Sequence, residues 1–483
     1  MALHGGGYNG RVIASIAAFE KDTARRARRV LLEAEFSESR IAAQLGSTEP
    51  GASFEDCLAQ WLWRCRNGDP LSVLVRLFVL GQPVSPREAA RAVSPMTVEE
   101  WEGMGLLRRA KGQVCACVEL TPKPGFVFAS NFGFADRKPA ADHVLGITSS
   151  ASLVNRCMIR RPVERGLDLG TGTGFLALHL QAHCERVMAL DLNQRALAFA
   201  RFNAAFNLVD GVEFRHSDCF SAVPGERFDQ IVGNLPFVIS PAGETLFRDG
   251  GVDGSGFFES VLRQAPEHLS EGGVAQFLGQ WSNRTPEMEI PGCDVFVIRF
   301  ATEPVEEYAT QWVQACAVAG KRGRSREYRA WMEFYREHGI ERIHTGLWNL
   351  RRRSRGTHWQ ASVDRPTSKA TWGDRIDEFF RSWGAWGMAL AREEISELRV
   401  KLSPYTVWRG EFAQCPQEPR LQLFSSDGFS TPLTIEGSTE KWLALADGTR
   451  TVAEMARAGH LGAQEGWAGA IEPLLFHGYL TVA

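Results

Sequence analysis

Apolar residues recur near helical spacing over 11–35, with Arg25, Arg26, Arg28 and Arg29 interleaved, which predicts a helix with a solvated basic face. Ser37 as an N-cap and Gly46 as a stop bound a second helix. Short helices are expected over 54–66, 71–80, 86–92 and 97–104, followed by a strand-like alternation over 114–120. From residue 166 the period changes. Gly166-Leu167-Asp168-Leu169 enters the turn Gly170-Thr171-Gly172-Thr173-Gly174 and continues as Phe175-Leu176-Ala177-Leu178-His179-Leu180, a strand, a tight turn and a helix. Val187-Met188-Ala189-Leu190 is a second strand tipped by Asp191, and 212–216 a third that leads into Ser217-Asp218-Cys219. A fourth, over 228–233, delivers Asn234-Leu235-Pro236-Phe237. A helix over 257–268 and strands over 273–281 and 294–300 follow, then helices over 303–317 and 325–337. Near the end, the stretch from Asp447-Gly448 to Met455 reads as a turn, an N-cap threonine and a short helix.

Strands alternating with helices predict an α/β fold with a doubly wound, mostly parallel sheet, and such sheets bind ligands at the carboxyl ends of their strands. Asp168, Asp191, Asp218 and Asn234 all fall at that edge. A carboxylate at Asp191 can accept hydrogen bonds from both hydroxyls of a ribose, and Asp218 can meet an adenine amino group. The glycines let a ligand approach the backbone. By itself the Gly-x-Gly-x-Gly turn is shared with nucleotide and flavin sites, but a nicotinamide site has Gly-x-Gly-x-x-Gly, and here the third glycine comes one residue early.

The four motifs in this order resemble the class I S-adenosylmethionine-dependent methyltransferases, over about residues 142–281. The resemblance implies a Rossmann-like core binding S-adenosyl-L-methionine and releasing S-adenosyl-L-homocysteine. It implies that Asp168, Gly170, Thr171, Gly172 and Gly174 hold the methionine part. Asp191 with Leu192, and Asp218 with Cys219, would hold ribose and adenine, and Asn234 would close the set. Thr148, Ser149 and Ser150 either meet the methionine carboxylate or cap the helix that follows.

Methyl transfer from a sulfonium is an in-line displacement that needs an available lone pair. The Asn234 side-chain carbonyl and the Leu235 backbone carbonyl can accept both hydrogens of a planar nitrogen and free its lone pair. Pro236 stiffens the turn and Phe237 offers a flat face. The loop resembles the Asn-Pro-Pro-Tyr/Phe signature of amino-group methyltransferases, with Leu235 in place of the first proline. Together with Arg248-Asp249-Gly250-Gly251, it is similar to the release-factor glutamine methyltransferases, which implies a side-chain amide or guanidino nitrogen in a protein or free metabolite as acceptor, with Phe237, Arg248 and Asp249 as substrate contacts. Gly233-Asn234-Leu235-Pro236-Phe237 also resembles the loop of ribosomal-RNA adenine dimethyltransferases. Their first motif begins with Glu and carries a proline, both absent here. A silent scaffold is the third reading, opposed by the intact acids and glycines.

Composition narrows the setting. At 483 residues, 44% apolar and 23% charged, the chain is long enough for two to four domains. We expect a helical, winged-helix-like domain over 1–125, the methyltransferase core over 126–300, an elaboration over 301–430 and a small winged-helix-like module over 431–483. The last resembles the peptide-chaperone module of pyrroloquinoline quinone biosynthesis. A net charge of −3 supplies no general attraction to RNA, and the acids of Thr97-Val98-Glu99-Glu100-Trp101-Glu102 argue against DNA at that helix. Arg351-Arg352-Arg353-Ser354-Arg355 reads as a solvated loop or strand end, or as an RNA patch. The ten cysteines lack paired spacing, so a metal site is not expected and a reducing, cytoplasmic setting is. No apolar run reaches membrane-spanning length.

Overall fold

The computed structural model describes residues 19–46, 54–133, 140–241, 256–283, 288–315, 321–411, 420–435, 439–440, 443–458 and 465–483. Among the described residues six helices come first: α1 (Lys21–Glu33), α2 (Glu38–Leu45), α3 (Phe54–Arg64), α4 (Pro70–Phe78), α5 (Pro86–Ala92) and α6 (Val98–Gly103). Two hairpins follow, β1 (Leu107–Ala110) with β2 (Gln113–Ala116), and β3 (Glu119–Lys123) with β4 (Phe126–Ser130). Then come α7 (Ser149–Cys157), β5 (Val163–Leu169), α8 (Phe175–Leu180), β6 (Cys184–Asp191), α9 (Gln194–Phe206), β7 (Val212–His216) and β8 (Phe228–Asn234). After α10 (Gly256–Gln264) lie β9 (Leu269–Ser282), β10 (Cys293–Pro304), α11 (Val305–Ala315), α12 (Lys321–His338), β11 (Arg342–Arg352) and β12 (Gln360–Asp364). The remainder is α13 (Gly373–Ala391), β13 (Arg399–Leu402), β14 (Thr406–Glu411), β15 (Arg420–Ser425), β16 (Leu433–Ile435), β17 (Asp447–Thr451), α14 (Val452–Ala458), α15 (Glu465–Phe476) and β18 (Leu480–Val482).

Local chemistry sets the helix starts. Ser37, Ser85 and Thr97 each accept a hydrogen bond from the third residue of the helix they precede, and at Ser85 and Thr97 a glutamate returns the bond as a capping box. Thr451 and Glu454 do the same at α14. The single strand expected over 114–120 is instead two, since β2 ends its pairing with β1 at Ala116 and β3 opens at Glu119 to pair with β4. Asp447-Gly448 belongs to β17, which pairs with β13.

The chain divides into two compact units. The first comprises 1–152, 162–288 and 303–343. Its sheet runs β9-β8-β5-β6-β7, every neighbour parallel. From β5 the chain winds one way through β6 and β7 and then returns to the other side of β5 with β8, so the strand order reverses between β5 and β8. α9 gives Ala196, Phe199, Phe202 and Phe206 to one continuous apolar core with α1, α4, α6 and the hairpins. The basic face of α1 is largely paired: Arg26 meets Glu100 at 2.6 Å, Arg29 meets Glu33 at 2.7 Å, and Arg28 donates to the Gly125 carbonyl and to Asn207. A second apolar cluster joins Val238 and Ile239, just beyond β8, to Tyr308 of α11 and to Trp331, Phe334 and Tyr335 of α12.

The second unit comprises 153–161, 289–302 and 344–483. It contains strands in the order β12-β10-β11 and two antiparallel three-stranded sheets, β17-β13-β18 and β14-β15-β16. Arg375 of α13 is buried and ties its parts together. Its guanidinium meets Glu378 at 2.5 Å, Asp427 at 3.2 Å, the Ser403 hydroxyl at 2.6 Å and the Gly478 carbonyl at 2.7 Å. Within the basic run, Arg351 and Arg352 end β11, and Arg353 pairs with the buried Asp294 at 3.0 Å. Among the described residues no helix is long and apolar enough to cross a membrane, and no group of three or more His, Cys, Asp or Glu is placed to hold a metal ion.

Candidate functional site

The site lies at the carboxyl ends of β5, β6, β7 and β8, next to the reversal of strand order. Asp168, one residue before the end of β5, is fully buried. Its Oδ2 accepts from the Thr171 hydroxyl at 2.7 Å and from the Ala177 N–H at 2.9 Å, while its Oδ1 is buried without a partner among the described residues. Burial pushes the Asp168 carboxyl up to about 7, against the pull of those two hydrogen bonds and with a smaller push from Asp191. A buried carboxylate with one unused oxygen is a receptor for a cationic group.

The glycine turn between β5 and α8 is held from outside. The Gly170 and Thr171 N–H groups both bond the Leu190 carbonyl at 2.9 Å, and the Gly172 N–H bonds Asp191 Oδ2 at 2.8 Å. Gly172 has φ of 54° and a Cβ added there would meet nothing within 4 Å, so the turn faces open space. At Gly174, with φ of 83°, a Cβ would stand 3.2 Å from Ala200, so this glycine is required for α8 to pack on α9.

Asp191 tips β6. Its Oδ1 accepts from the Asn193 N–H at 2.8 Å, and burial raises its carboxyl above the ordinary range. Each oxygen thus holds one backbone N–H and retains a second lone pair. Leu192 beside it is 45% exposed, and its carbonyl faces His216 Nε2 at 2.9 Å. After β7, Asp218 is exposed and Cys219 adopts φ of 48° in a tight turn; burial, then Asp218, pushes the Cys219 thiol up to about 11.

Asn234 ends β8, with its Oδ1 buried and without a partner among the described residues. Leu235 is buried, and its Cδ2 lies 3.4 Å from where a Cβ on Gly170 would be, so the loop after β8 abuts the glycine turn. Pro236 and Phe237 are half-buried. Thr148 caps α7, accepting from the Ala151 N–H at 3.1 Å, and its hydroxyl lies 2.7 Å from that of Ser150. Arg248 and Asp249 lie outside the described residues.

Sequence reasoning missed two groups that act on this site. Asn203 of α9 donates to the Thr173 carbonyl inside the glycine turn at 2.8 Å. A polar pair four residues apart, Asn203 in α9 and Asn207 at its C-cap, set among Ala and Phe, was the available signal. Tyr308 and Tyr335 bond the backbone of Ile239, and nothing local marks them.

Residues 147–288 match the family model described as methyltransferase small domain, and 33–117 match a domain of unknown function, DUF7059. The ribosomal protein uL3 glutamine methyltransferase of Xanthomonas campestris pv. campestris is 35% identical over 127 residues, which is 24% of this chain and 41% of that protein. The release factor glutamine methyltransferase of Cereibacter sphaeroides is 36% identical over 129 residues, 24% of this chain and 46% of that protein. The chain thus spans less than half the length of these two relatives. The solved methyltransferase from Pyrococcus furiosus overlays at 19% identity with a TM-score of 0.25, over 42% of this chain and 83% of its own.

The central part of this chain is therefore a class I methyltransferase domain. Over residues 147–288 it matches the methyltransferase small domain model, and the donor such a domain implies is S-adenosyl-L-methionine. The residues present fit that group: an unused buried carboxylate oxygen at Asp168, an open turn at Gly172 and an acid with free lone pairs at Asp191.

Proposed function

We propose that the protein is a methyltransferase acting on a planar side-chain nitrogen, the amide of glutamine in a protein substrate. Asp168 and the turn through Gly172 hold the methionine part of the donor, Asp191 and Leu192 its ribose, and Asp218 and Cys219 its adenine. The observation that carries the reading is Asn234 Oδ1, a buried acceptor with no partner among the described residues, at the end of the strand beside Asp168. An unsatisfied buried carbonyl costs about 1–3 kcal/mol, and an amide N–H of the acceptor would satisfy it. The donor, when bound, supplies an electrophilic methyl group.

Asn234 Oδ1 and the Leu235 carbonyl accept the two amide hydrogens. This draws electron density to the nitrogen and turns its lone pair out of the plane. Phe237 packs on the flat amide, and the buried loop excludes competing water. The new N–C bond forms as the S–C bond breaks, S-adenosyl-L-homocysteine departs, and the extra proton on nitrogen leaves to solvent. Relatives named as glutamine methyltransferases support the amide over a guanidino group. Pairing of Arg353 with Asp294, and a net charge of −3, favour protein over RNA.

The test uses purified enzyme and donor labelled in its methyl group, incubated with a desalted extract with and without its RNA and its small molecules. We expect acid-stable label in protein, and one added methyl on a glutamine by peptide mass spectrometry. Label confined to RNA or to the small-molecule fraction overturns the proposal.

A further inference from the structure

Resting on that reading, we propose that Tyr308 and Tyr335 are positioning residues for methyl transfer, fixing the Asn234–Phe237 loop by holding both backbone polar groups of Ile239. The Tyr335 hydroxyl donates to the Ile239 carbonyl at 2.8 Å. The Tyr308 hydroxyl accepts from the Ile239 N–H at 3.3 Å and donates to Gln280 Oε1 on β9 at 2.5 Å. Both tyrosines are 1% exposed, and Ile239 is fully buried among them, Val238 and Trp331.

The two phenols come from two different helices, α11 and α12, which the chain makes between β10 and β11. Ile239 lies outside any strand, and both polar groups of its backbone bond to side chains. In a buried place such groups need partners, and here side chains 69 and 96 residues away supply them. A sheet interior without these helices would leave Ile239 to water and the loop free to shift.

The consequence for chemistry follows from the short distance along the chain. Asn234 is held by its pairing opposite Leu278 at the end of β8, and Ile239 is held by the tyrosines. Only the four residues Leu235 to Val238 lie between these fixed points, one of them Pro236, whose φ is locked. The Leu235 side chain is pinned besides against Gly170. The Asn234 and Leu235 carbonyls are thereby set against the glycine turn that receives the donor. In-line transfer is sensitive to displacements of the order of 1 Å, which cost about a hundredfold in rate. Donor binding uses Asp168, Gly172 and Asp191, none of which touches either tyrosine, so the tyrosines act on turnover and not on donor affinity.

The experiment compares full-length wild type with Y308F, Y335F and the double variant. Initial rates are measured with labelled donor and excess desalted protein extract, and donor affinity by calorimetry. Protection of the 234–241 peptide is followed by amide hydrogen exchange. Each single variant should lower kcat about tenfold or more with the donor KM and Kd unchanged within about twofold, and should raise exchange at 234–241. Phenylalanine keeps the ring and the packing, and the two variants report on opposite sides of Ile239, so either one that folds suffices. A lowered melting point with kcat unchanged well below it would make the tyrosines merely structural and overturn the proposal. Wild type that transfers no label would defeat the function proposed above instead. Hydrogen exchange still decides the tyrosines in that case, since unchanged protection in both variants removes their hold on the loop.

Discussion

Asn203 holds both polar groups of Ala129: its Oδ1 accepts from the Ala129 N–H at 2.7 Å and its Nδ2 donates to the Ala129 carbonyl at 3.0 Å. One turn later Asn207 repeats the arrangement at Val127, both bonds at 2.8 Å. The free edge of β4 is thus satisfied by two helix side chains in place of a strand, and the hairpin is fastened to α9 of the methyltransferase domain. Since Asn203 also holds the Thr173 carbonyl, the hairpin, the helix and the glycine turn share one side chain.

Asn203→Ala should therefore do two things. It leaves three buried backbone groups without partners, so urea denaturation should show a loss of about 3 kcal/mol. It also frees the glycine turn, so donor affinity measured on the still-folded protein should fall several-fold. Asn207→Ala touches no atom of the turn, and should destabilise by a similar amount with donor affinity unchanged.

Donor binding should depend on pH through Asp168. Its carboxyl ordinarily titrates near 3.8 and is raised by burial to about 7. A raised acid keeps its proton in the folded state while the unfolded chain has lost it. The stability contributed by this group is therefore full below pH ~4, declines as pH rises to ~7, and is level above. A donor whose ammonium group meets the charged form binds the protein only after that proton leaves. Affinity should tighten roughly tenfold per unit up to pH ~7 and then plateau. Calorimetry at pH 6 in two buffers of different ionisation enthalpy should show close to one proton released per donor bound. At pH 8.5 it should show almost none. Asp168→Asn should abolish the pH dependence along with most of the affinity.

Asp191→Ala should weaken donor binding by about 1–3 kcal/mol. Two causes add: the ribose loses its acceptor, and Gly172 and Asn193 lose the carboxylate that holds their N–H groups. Fluorescence or calorimetric titration checks the magnitude. Asp191→Asn separates the causes, because an amide oxygen can keep one backbone bond but cannot accept at both positions.

What the sequence made legible was whatever repeats at short range. The period of apolar residues around Asp168, Asp191 and Asn234 located strand ends, because in a parallel sheet buried strands are continuous apolar runs bounded by turns. A cap such as Ser37 was legible because a cap is set by three or four neighbouring residues. Contacts that join distant segments left no such trace. Asn203 reaches Ala129 across 74 residues, Tyr335 reaches Ile239 across 96, and Arg375 reaches Gly478 across 103. Asp191 shows the same limit in a single residue. Its position at a strand tip was readable, but its grip on the glycine turn needed the fold to bring Gly172 beside it.

Arg375 joins three segments of the second unit to α13 through one buried guanidinium. It donates to a hydroxyl and a carbonyl and pairs with Glu378 and Asp427. Removing one partner of a buried ion pair strands the others, at a cost of about 3–5 kcal/mol. Arg375→Ala should therefore expose the segment around Gly478 to limited proteolysis. Lysine cannot span the same fork, so Arg375→Lys should restore only part of the resistance.

The remaining prediction concerns Asn234. If its side-chain oxygen accepts an N–H of the acceptor, its loss removes an interaction made to the reacting group and not to the donor. Asn234→Ala should therefore bind donor within about twofold of wild type while kcat falls about 10²–10³-fold, the range seen when one preorganised hydrogen-bond partner is removed. Asn234→Asp is the sharper variant, since it keeps an acceptor at the same place but adds a charge that attracts the sulfonium as well. It should tighten donor binding and still turn over slowly, because an anion there favours the bound ground state more than the transition state, in which the positive charge is dispersing. Rapid-quench measurement of the methyl-transfer step separates this from slow product release. Wild-type rates in Asn234→Ala would remove the loop from the mechanism, whatever acceptor the enzyme uses.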